Sequence, residues 1–392
     1  MSHRQPHLTA RLQGFGTTVF TEMTALAEQH GAINLGQGFP DTDPPEQVAE
    51  AAQQAIRDGH NQYAPGPGVP ALREAVAEHQ ARFHGLTYDP DREVTVTFGA
   101  TESLSASLLA LCDVGDEVVL LEPAYDAYVA GVAMAGAIPR MVPLRLPDFS
   151  VDADALAAVM GPRTKAIVVN SPHNPSGAVL GPDSLDAIAA ACRAHDVVAV
   201  SDEVYEHLRY DAPHAPLAAR EGMRERTITI SSGAKTFSAT GWKTGWACAP
   251  PELTTAVRTA KQFMTFAGGT PFQHAIAAGL RLPEAFFDEL AAEHAARRDL
   301  LVEGLEQAGL PTLPSHGSYF VLADISALGY TDDVAFCRAL PEQIGVVAVP
   351  CSAFVWVPGG PRHLVRFAFC KRREVLAEAA ERLAGLSSRS DA

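Results

Sequence analysis

The chain has 392 residues, of which 47% are hydrophobic and 19% are charged, so it can bury the large core of one two-lobed unit or of two domains. Lys and Arg total 30 against 46 Asp and Glu, which gives a formal net charge of -16. Because most of such a surface repels phosphate backbones and anionic lipid headgroups, neither nucleic acid nor a membrane is expected as a partner.

The cysteines and the first residues indicate the compartment. The spacing of the six cysteines contains no CxxC pair, so it favours reduced thiols over a disulfide framework and supports no zinc site. No metal is expected. The opening stretch MSHRQPHLTARLQGFG has no apolar signal-peptide core, and no apolar run approaches the ~20 residues that a membrane helix needs. These features predict a cytoplasmic protein.

The elements in chain order divide the sequence into three parts. Residues 1–45 are rich in Gly and Pro and are interpreted as an arm that packs with the small domain, with a short helix at 18–30. A large domain is predicted over 46–275 and a small C-terminal domain over 276–392.

The large domain shows a repeating pattern of helices and strands. Its first helix begins at Pro70, places Leu72, Val76 and Phe83 on one face, and ends at the His-Gly pair 84–85. Five short apolar runs follow, at 94–98, 117–121, 166–170, 197–201 and 227–231. Because Ala-rich helical segments separate these runs, the pattern predicts an α/β fold with a mostly parallel sheet flanked by helices.

Strands become rare after residue 272. A long helix is predicted at 284–309, and a short βαβ-like region follows at 319–371. This change of pattern predicts a smaller α+β domain at the C-terminal end.

In an open parallel sheet, ligands bind beyond the carboxyl ends of the strands, so the residues directly after each strand are informative. The first run leads into FGATES at 98–103, where Gly99 permits a tight turn and the amides of Ala100 and Thr101 open a helix. Such a helix start can bind phosphate. It is also typical of an ordinary capped turn.

Two further strand ends carry polar side chains. SPHNPSG at 171–177 has two prolines that stiffen a loop around Asn174, whose amide either meets a ligand or satisfies the turn. SDEVYEHL at 201–208 places Asp202 after an apolar run, where a carboxylate needs a cationic partner or several donors unless it only caps a helix. Tyr205 follows within reach of the same ligand.

The strongest signal is SSGAKTFSATGWKTGW at 231–246, interpreted as one loop after a strand. Among its small residues Lys235 is partly desolvated, which lowers the pKa of its amine and frees it for imine formation. Lys243 and Ser232 are then available for a phosphate. The alternative, two solvated lysines on a surface loop, agrees poorly with the two tryptophans that flank Lys243.

Arg366 lies in the apolar run HLVRFAFCK near the C-terminus. A buried guanidinium must be paired, and its planar fork suits a carboxylate held by two parallel hydrogen bonds. The residues alone leave a substrate carboxylate and a structural salt bridge equally open.

With these residues the chain resembles, over nearly its whole length, the fold-type I, class I and II aminotransferases that depend on pyridoxal 5'-phosphate (PLP). Within them it is most similar to the group of kynurenine, glutamine and methionine aminotransferases and actinobacterial N-succinyldiaminopimelate aminotransferases. The resemblance is carried by seven ordered motifs, NLGQGFPD, NQYAPGPG, EPAYDAY, SPHNPSG, SDEVYEHL, SSGAKTFSATGWKTGW and VRFAFCK. It implies transfer of an amino group from an L-amino acid to a 2-oxo acid by a ping-pong mechanism.

The resemblance also implies the roles of the residues around the cofactor ring. Lys235 holds PLP as a Schiff base and later shuttles the substrate proton. Asp202 pairs with the pyridine nitrogen, and Tyr125 stacks on the ring. Tyr205 and Asn174 bond the phenolic oxygen. Lys235, Asp202 and Tyr205 are therefore the implied catalytic residues.

The phosphate and substrate ends follow from the same resemblance. The implied phosphate ligands are Ala100, Thr101, Ser232 and Lys243, joined by Tyr63 from a partner subunit. This arrangement implies a homodimer with shared active sites.

The implied substrate pocket is built from four residues. Arg366 and Asn174 bind the α-carboxylate of the amino acid, and the backbone of Gly38 and the ring of Phe20 line the pocket.

Two departures from the kynurenine aminotransferases bear on the substrate. Gly268 and Gly269 stand where those enzymes carry a bulky pair that reaches into the neighbouring active site, and Phe20 stands where a tryptophan is usual. A wider pocket with weaker stacking favours N-succinyl-LL-diaminopimelate, methionine or glutamine as the donor. A kynurenine aminotransferase or a cysteine-conjugate β-lyase on the same scaffold is the alternative.

Two other classes of protein, a dinucleotide-binding dehydrogenase and a DNA-binding regulator, fit the sequence poorly. LGQGFPD could be a dinucleotide-binding glycine loop, but Pro40 stands where a helix would begin and a third glycine is missing. A PLP-dependent DNA-binding regulator needs an appended domain, and the arm before Leu35 is short and not basic.

Overall fold

The computed structural model describes residues 7–16 and 18–386. Its helices are α1 (Val19–His30), α2 (Glu46–Arg57), α3 (Pro70–His84), α4 (Ala100–Leu111), α5 (Asp126–Ala135), α6 (Ala153–Val159), α7 (Pro182–His195), α8 (Gly233–Thr236), α9 (Pro251–Lys261), α10 (Thr270–Leu280), α11 (Glu284–Gln307), α12 (Asp333–Ile344) and α13 (Arg373–Leu383). Its strands are β1 (Ile33–Asn34), β2 (Val94–Phe98), β3 (Glu117–Glu122), β4 (Ile138–Pro143), β5 (Thr164–Asn170), β6 (Val198–Asp202), β7 (Thr227–Ser232), β8 (Thr244–Cys248), β9 (Phe320–Asp324), β10 (Val346–Val347), β11 (Val349–Pro350) and β12 (Leu364–Ala368).

The central sheet contains seven strands in the order β2-β8-β7-β6-β5-β3-β4. The pairs from β7 to β4 are all parallel, whereas β8 runs antiparallel to both β2 and β7. In this register Asn170 at the end of β5 lies opposite Asp202 at the end of β6. The mostly parallel α/β sheet is therefore confirmed, and its geometry brings the carboxyl ends of β5, β6 and β7 to one edge.

Helices cover both faces of this sheet, as the alternation of side chains along β3 shows. Val118 and Leu120 lie in a core shared with α4 and α5. Val119 and Leu121 lie in the opposite core, which α7 closes through Leu185 and other apolar residues. Because successive side chains of a strand point to opposite faces, a strand covered on both sides must be apolar throughout.

All five predicted strands occur within about two residues of their expected positions, and two further strands of the sheet were missed. β4 carries Pro139 and Pro143 and forms an edge of the sheet, where prolines are tolerated. β8 begins at Thr244, within 231–246, so the interpretation of that whole stretch as one loop was wrong. Trp246 on β8 is buried in the core.

The C-terminal part is α+β, with an antiparallel sheet of order β11-β12-β9. The prediction of a βαβ-like region at 319–371 was therefore wrong, because β12 pairs with β9 in the antiparallel direction along its whole length. α11 packs against α13, and α1 packs against α12, while β1 pairs in parallel with β10.

The proposed division at residues 45 and 275 stays a prediction, and its outermost parts, 1–6 and 387–392, lie outside the described residues. In the described part of the chain, no helix is both long and apolar enough to cross a membrane.

Candidate active site

A cavity of about 470 Å³ opens beyond the carboxyl ends of the parallel strands. Its wall includes every residue predicted for the site except Tyr63: Phe20, Gly38, Ala100, Thr101, Tyr125, Asn174, Asp202, Tyr205, Ser232, Lys235, Lys243 and Arg366. Residues from both the central sheet and the C-terminal α+β part therefore meet at one place.

Lys235 lies on the short helix α8, which directly follows β7. Burial lowers the pKa of its amine to about 8, although Cys370 and Asp202 nearby raise it. Its Nζ donates to the carbonyl oxygen of Gly38 at 3.3 Å and lies 5.6 Å from the centre of the Tyr319 ring. A large neutral fraction near pH 8 is what a nucleophilic amine requires.

Asp202 is the last residue of β6. It is half-buried, and no arginine or lysine is in salt-bridge contact with its carboxylate among the described residues. Burial raises its pKa to about 6, while hydrogen bonds from Tyr128 and the Val204 amide lower it. The Tyr128 hydroxyl lies 2.8 Å from Oδ2. A buried carboxylate without a cation is costly, so a protonated ring nitrogen fits this position.

The loop after β5 holds Asn174 through a second asparagine. The backbone amide of Asn174 donates to Oδ1 of Asn170 at 2.8 Å, and Nδ2 of Asn170 donates to the Asp202 carbonyl oxygen at 2.9 Å. Tyr205, three residues after Asp202, is buried with its ring edge-on to that of Tyr319. Asn170 thus links Asn174 to Asp202, whereas Tyr205 is held by its packing against Tyr319.

One end of the cavity is lined by small residues and a lysine. Ala100 and Thr101 form the first turn of α4, and Ser232 is the residue before α8. Gly99 has φ 77°, and a Cβ there would lie 3.2 Å from Nζ of Lys243. The glycine therefore allows Lys243 to approach the first turn of α4. The lysine and the helix start together form a site suited to phosphate.

Arg366 is fully buried on β12, and no described carboxylate contacts it. Its Nη1 donates to Oδ1 of Asn174 at 2.8 Å and its Nη2 to the Gly36 carbonyl at 2.7 Å. Three aromatic rings surround the guanidinium, those of Phe320 (4.1 Å), Phe354 (4.9 Å) and Phe20 (5.2 Å). Burial lowers the pKa of Arg366 to about 10. The structural salt bridge considered above is absent from the described residues, so an anionic ligand fits the site.

Gly38 contributes its backbone, as expected, and the structure shows why it is glycine. A Cβ at Gly38 would lie 2.6 Å from Cζ of Phe320. Its carbonyl oxygen accepts hydrogen bonds from Lys235 and from the Tyr319 hydroxyl.

Three residues of the site were missed from the sequence: Asn170, Tyr128 and Tyr319. Tyr128 carried a usable signal, because it stands three residues after Tyr125 in EPAYDAY, the spacing of neighbours on a helix face. Asn170 is the last residue of a predicted strand, so its position was also informative.

Tyr63 lies outside the cavity of its own chain, with 82% of its surface exposed. Its ring is edge-on to that of Phe266, with centres 5.8 Å apart. Tyr63 was predicted to contact the cofactor phosphate in the active site of a partner subunit, and this role stays a prediction.

A buried cluster behind the cavity contains His79, Glu206 and His207, whose polar atoms are close enough to hold a metal ion. Nε2 of His79 and Nε2 of His207 are 2.7 Å apart, which is a direct hydrogen bond. Glu206 accepts from His84 and from Ser231. These hydrogen bonds engage Nε2 of both histidines and both oxygens of Glu206, while Nδ1 of His79 has no hydrogen-bond partner among the described residues.

The sequence matches the family model described as aminotransferase class I and II over residues 30–383. Methionine aminotransferase of Escherichia coli is 42% identical over 375 residues, covering 95% of this chain and 97% of that protein. Kynurenine–oxoglutarate transaminase 3 of Mus musculus is 38% identical over 401 residues, covering 95% of this chain and 88% of that protein.

Solved structures agree with these sequences. The structure of N-succinyldiaminopimelate aminotransferase from Mycobacterium tuberculosis has a TM-score of 0.95 and 52% identity, covering 97% of this chain and 100% of that one. The architecture and the sequence therefore point to the same group of proteins.

Proposed function

The chain belongs to the aminotransferase class I and II family, and from this premise we propose that the cavity is its active site, with Lys235 as the residue that carries PLP. The protein is a PLP-dependent aminotransferase that moves an amino group from an L-amino acid to a 2-oxo acid by a ping-pong mechanism. The roles of the individual residues, the donor, the assembly and the compartment are the proposed part.

The observation that carries the proposal is the set of charges in one cavity. Asp202 is a half-buried carboxylate and Arg366 a buried guanidinium, and each lacks a partner of opposite charge in direct contact among the described residues. Lys235 adds an amine with a pKa of about 8. A cofactor with a cationic ring nitrogen would pair with Asp202, and its aldehyde would react with the amine of Lys235. The carboxylate of an amino acid substrate would pair with Arg366.

The residues around the ring would orient the cofactor. PLP when bound withdraws electrons from the amino acid, which makes its Cα–H bond acidic. Asp202 would hold the proton on the ring nitrogen, and Tyr205 and Asn174 would donate to the phenolic oxygen. Tyr125 at the wall of the cavity would cover the ring face. Lys235 Nζ, once free, would take the Cα proton as a base and return it as an acid.

Arg366 and Asn174 would position the substrate. Because Arg366 already donates to Asn174 at 2.8 Å, the two side chains would bind the α-carboxylate together. Phe20 and the Gly38 backbone would line the adjacent pocket and exclude water from the reacting carbon.

The phosphate end supports a homodimer with shared active sites. Ala100, Thr101, Ser232 and Lys243 would bind the phosphate from one chain, and Tyr63 would reach it from the other. The Tyr63 ring meets that of Phe266, which is itself exposed, and further exposed apolar side chains lie on β2 and in the segment after α9, namely Phe98, Phe263 and Met264. A second copy that covers these rings would explain their exposure.

The remaining proposals concern domains and location. We retain the division into an arm (1–45), a large PLP-binding domain (46–275) and a small domain (276–392). The described cysteines are all unpaired, which supports a reducing cytoplasm.

For the amino donor, we propose N-succinyl-LL-diaminopimelate, methionine or glutamine. The names of the relatives from M. tuberculosis and E. coli support the first two of these donors. Gly268 and Gly269 carry no side chains, and the Phe20 ring packs against Arg366 and Phe354. Kynurenine transamination or cysteine-conjugate β-elimination is the second candidate, supported by the kynurenine–oxoglutarate transaminases among the relatives.

A donor panel tests the proposal. The PLP-loaded protein is assayed with each donor and 2-oxoglutarate, and Lys235→Ala serves as the inactive control. We expect kcat/KM to be highest for one of the three proposed donors and activity to vanish in the variant. Higher kcat/KM for kynurenine overturns the donor proposal. Pyruvate and ammonia formed from a cysteine conjugate without an oxo acid indicate the lyase.

A further inference from the structure

Two loops carry exposed aromatic rings, and the rings of Tyr63 and Phe266 meet where the loops come together. The 61–68 loop contains Tyr63 itself, which is 82% exposed, and the 262–269 loop contains Phe263, which is 83% exposed. The only ring that Tyr63 meets among the described residues is that of Phe266. The phenol therefore projects from the surface, and its direction depends on how the two loops are held.

Lys261, the last residue of α9, connects these loops from beneath. It is 2% exposed. Its Nζ donates to the Gly66 carbonyl oxygen of the first loop at 3.1 Å and to the Phe266 carbonyl oxygen of the second. No described carboxylate forms an ion pair with it. Burial of an ammonium group without a counter-charge is costly, so the two carbonyl groups are what keep this lysine in place.

Two neighbouring side chains fasten the same loops. Gln273 accepts from the amide of Val69, just after the first loop, at 2.9 Å and donates to the Gly268 carbonyl oxygen at 3.2 Å. The Thr270 hydroxyl donates to the Gln62 carbonyl oxygen at 2.6 Å. One end of the 61–68 loop is thus tied through Gln273 to the second loop, and the other end is tied to Thr270, the first residue of α10, directly after that loop.

We infer that Lys261 is a positioning residue for the active site of the partner subunit, because it fixes the loops from which Tyr63 would reach the partner's phosphate. This inference rests on the proposed shared-site dimer. Neither Lys261 nor Tyr63 lines the cavity of its own chain.

A competing route runs within one subunit. The 262–269 loop contacts the cavity side of its own chain through Thr265, whose amide and hydroxyl donate to Glu102 in the first turn of α4. Lys261 could therefore act on its own phosphate site through Glu102. The experiment must separate the two routes.

The first step measures cofactor binding in Lys261→Met, which keeps the length of the side chain and removes the ammonium. We expect the dissociation constant for PLP to rise about tenfold or more, the size of effect typical when hydrogen bonds to a charged group are lost. Unchanged PLP affinity overturns the inference.

The second step uses hybrid dimers with two affinity tags, each containing a single intact Lys235. In the first hybrid, one subunit carries Lys235→Ala and the other carries Lys261→Met. The intact Lys235 then receives Tyr63 from a subunit with normal loops, and we expect normal PLP affinity and normal activity per site. In the second hybrid, both substitutions are in one subunit and the other is wild type. Here the intact site receives Tyr63 from the altered loops, and we expect the full defect.

The opposite pattern, a defect in the first hybrid and none in the second, overturns the inference in favour of the route through Glu102. Equal behaviour of the two hybrids overturns it as well. Hybrids with Tyr63→Phe in place of Lys261→Met test the shared-site dimer itself. If these show no dependence on the subunit that carries the change, the proposed assembly fails, whatever Lys261 does.

A milder variant guards against failure to fold. Thr270→Val removes one hydroxyl and its bond to the Gln62 carbonyl oxygen, and we expect the same pattern in the hybrids with a smaller effect. Thr259→Val is the matched control, because its hydroxyl donates to a backbone carbonyl at an exposed position of α9. This control leaves PLP affinity unchanged in both hybrids.

Discussion

The hydroxyl of Tyr128 lies 2.8 Å from Oδ2 of Asp202, and the two residues come from different layers of the molecule, helix α5 and strand β6. The Val204 amide donates to the other carboxylate oxygen at 3.3 Å. Burial raises the pKa of Asp202, and the bond from Tyr128 lowers it. Tyr128 therefore keeps the carboxylate ionised and fixes its orientation.

Tyr128→Phe tests this relationship. Loss of a hydrogen bond to a charged group costs about 1.5–3 kcal/mol, so kcat/KM is expected to fall roughly 10- to 100-fold. Because the pKa of Asp202 rises without this donor, the acid limb of the pH profile shifts to higher pH. Steady-state kinetics across pH 5–9 measure both effects. An unchanged acid limb would show that Tyr128 only fills space.

The low pKa of Lys235 leads to a prediction for the protein stripped of PLP. Only the neutral amine is nucleophilic, so the rate of PLP attachment is expected to increase with pH and to level off above about 8. Asp202 raises the pKa of Lys235, so Asp202→Asn moves the midpoint to lower pH. Rapid-mixing absorbance measures the rate.

The control for this shift is Asp186→Asn, a change of an exposed carboxylate on α7 that contacts Arg220. It leaves the midpoint in place. A midpoint that stays the same in Asp202→Asn contradicts the electrostatic account.

Arg366→Lys tests whether the fork of the guanidinium matters. Lysine keeps the positive charge but cannot make two parallel hydrogen bonds to a carboxylate, so KM for the amino donor is expected to increase roughly 10- to 100-fold. Initial-rate kinetics measure KM and kcat separately. Arg362→Lys, at an exposed ion pair with Asp332, is the matched control with unchanged KM. Equal KM values in the two variants would remove Arg366 from the substrate site.

The sequence predicted the site better than it predicted the whole sheet, for a physical reason. Asn174, Asp202 and Lys235 lie at or after the ends of the neighbouring parallel strands β5, β6 and β7, and such strands place their carboxyl ends at one edge. Their proximity therefore needed only the order of the strands. β4 was missed because its two prolines and partly exposed pattern suggest a turn, and β8 because its glycine and polar neighbours resemble a loop.

Contacts between distant parts of the chain could not be predicted in this way. Tyr128 and Asp202 are 74 positions apart, and Tyr319 reaches Gly38 across 281 positions. No local pattern specifies such pairs, because they depend on how α5 and the C-terminal strands pack on the central sheet.

His294 on α11 leads to a prediction about acid stability. Burial lowers its pKa from 6.5 to about 4, while its Nδ1 is hydrogen-bonded with the Leu290 carbonyl oxygen. Between these two pH values the unfolded chain binds a proton that the folded chain does not. The free energy of unfolding therefore falls as the pH is lowered from 6.5 to 4, by roughly 3 kcal/mol for this group.

His294→Gln cannot take up that proton, so its stability, measured by urea unfolding, is expected to decline less steeply over the same window. His195→Gln, at an exposed position of α7, declines as the wild type does. If the His294 and His195 variants decline in parallel, another buried group such as His173, whose pKa burial also lowers to about 4, carries the acid sensitivity.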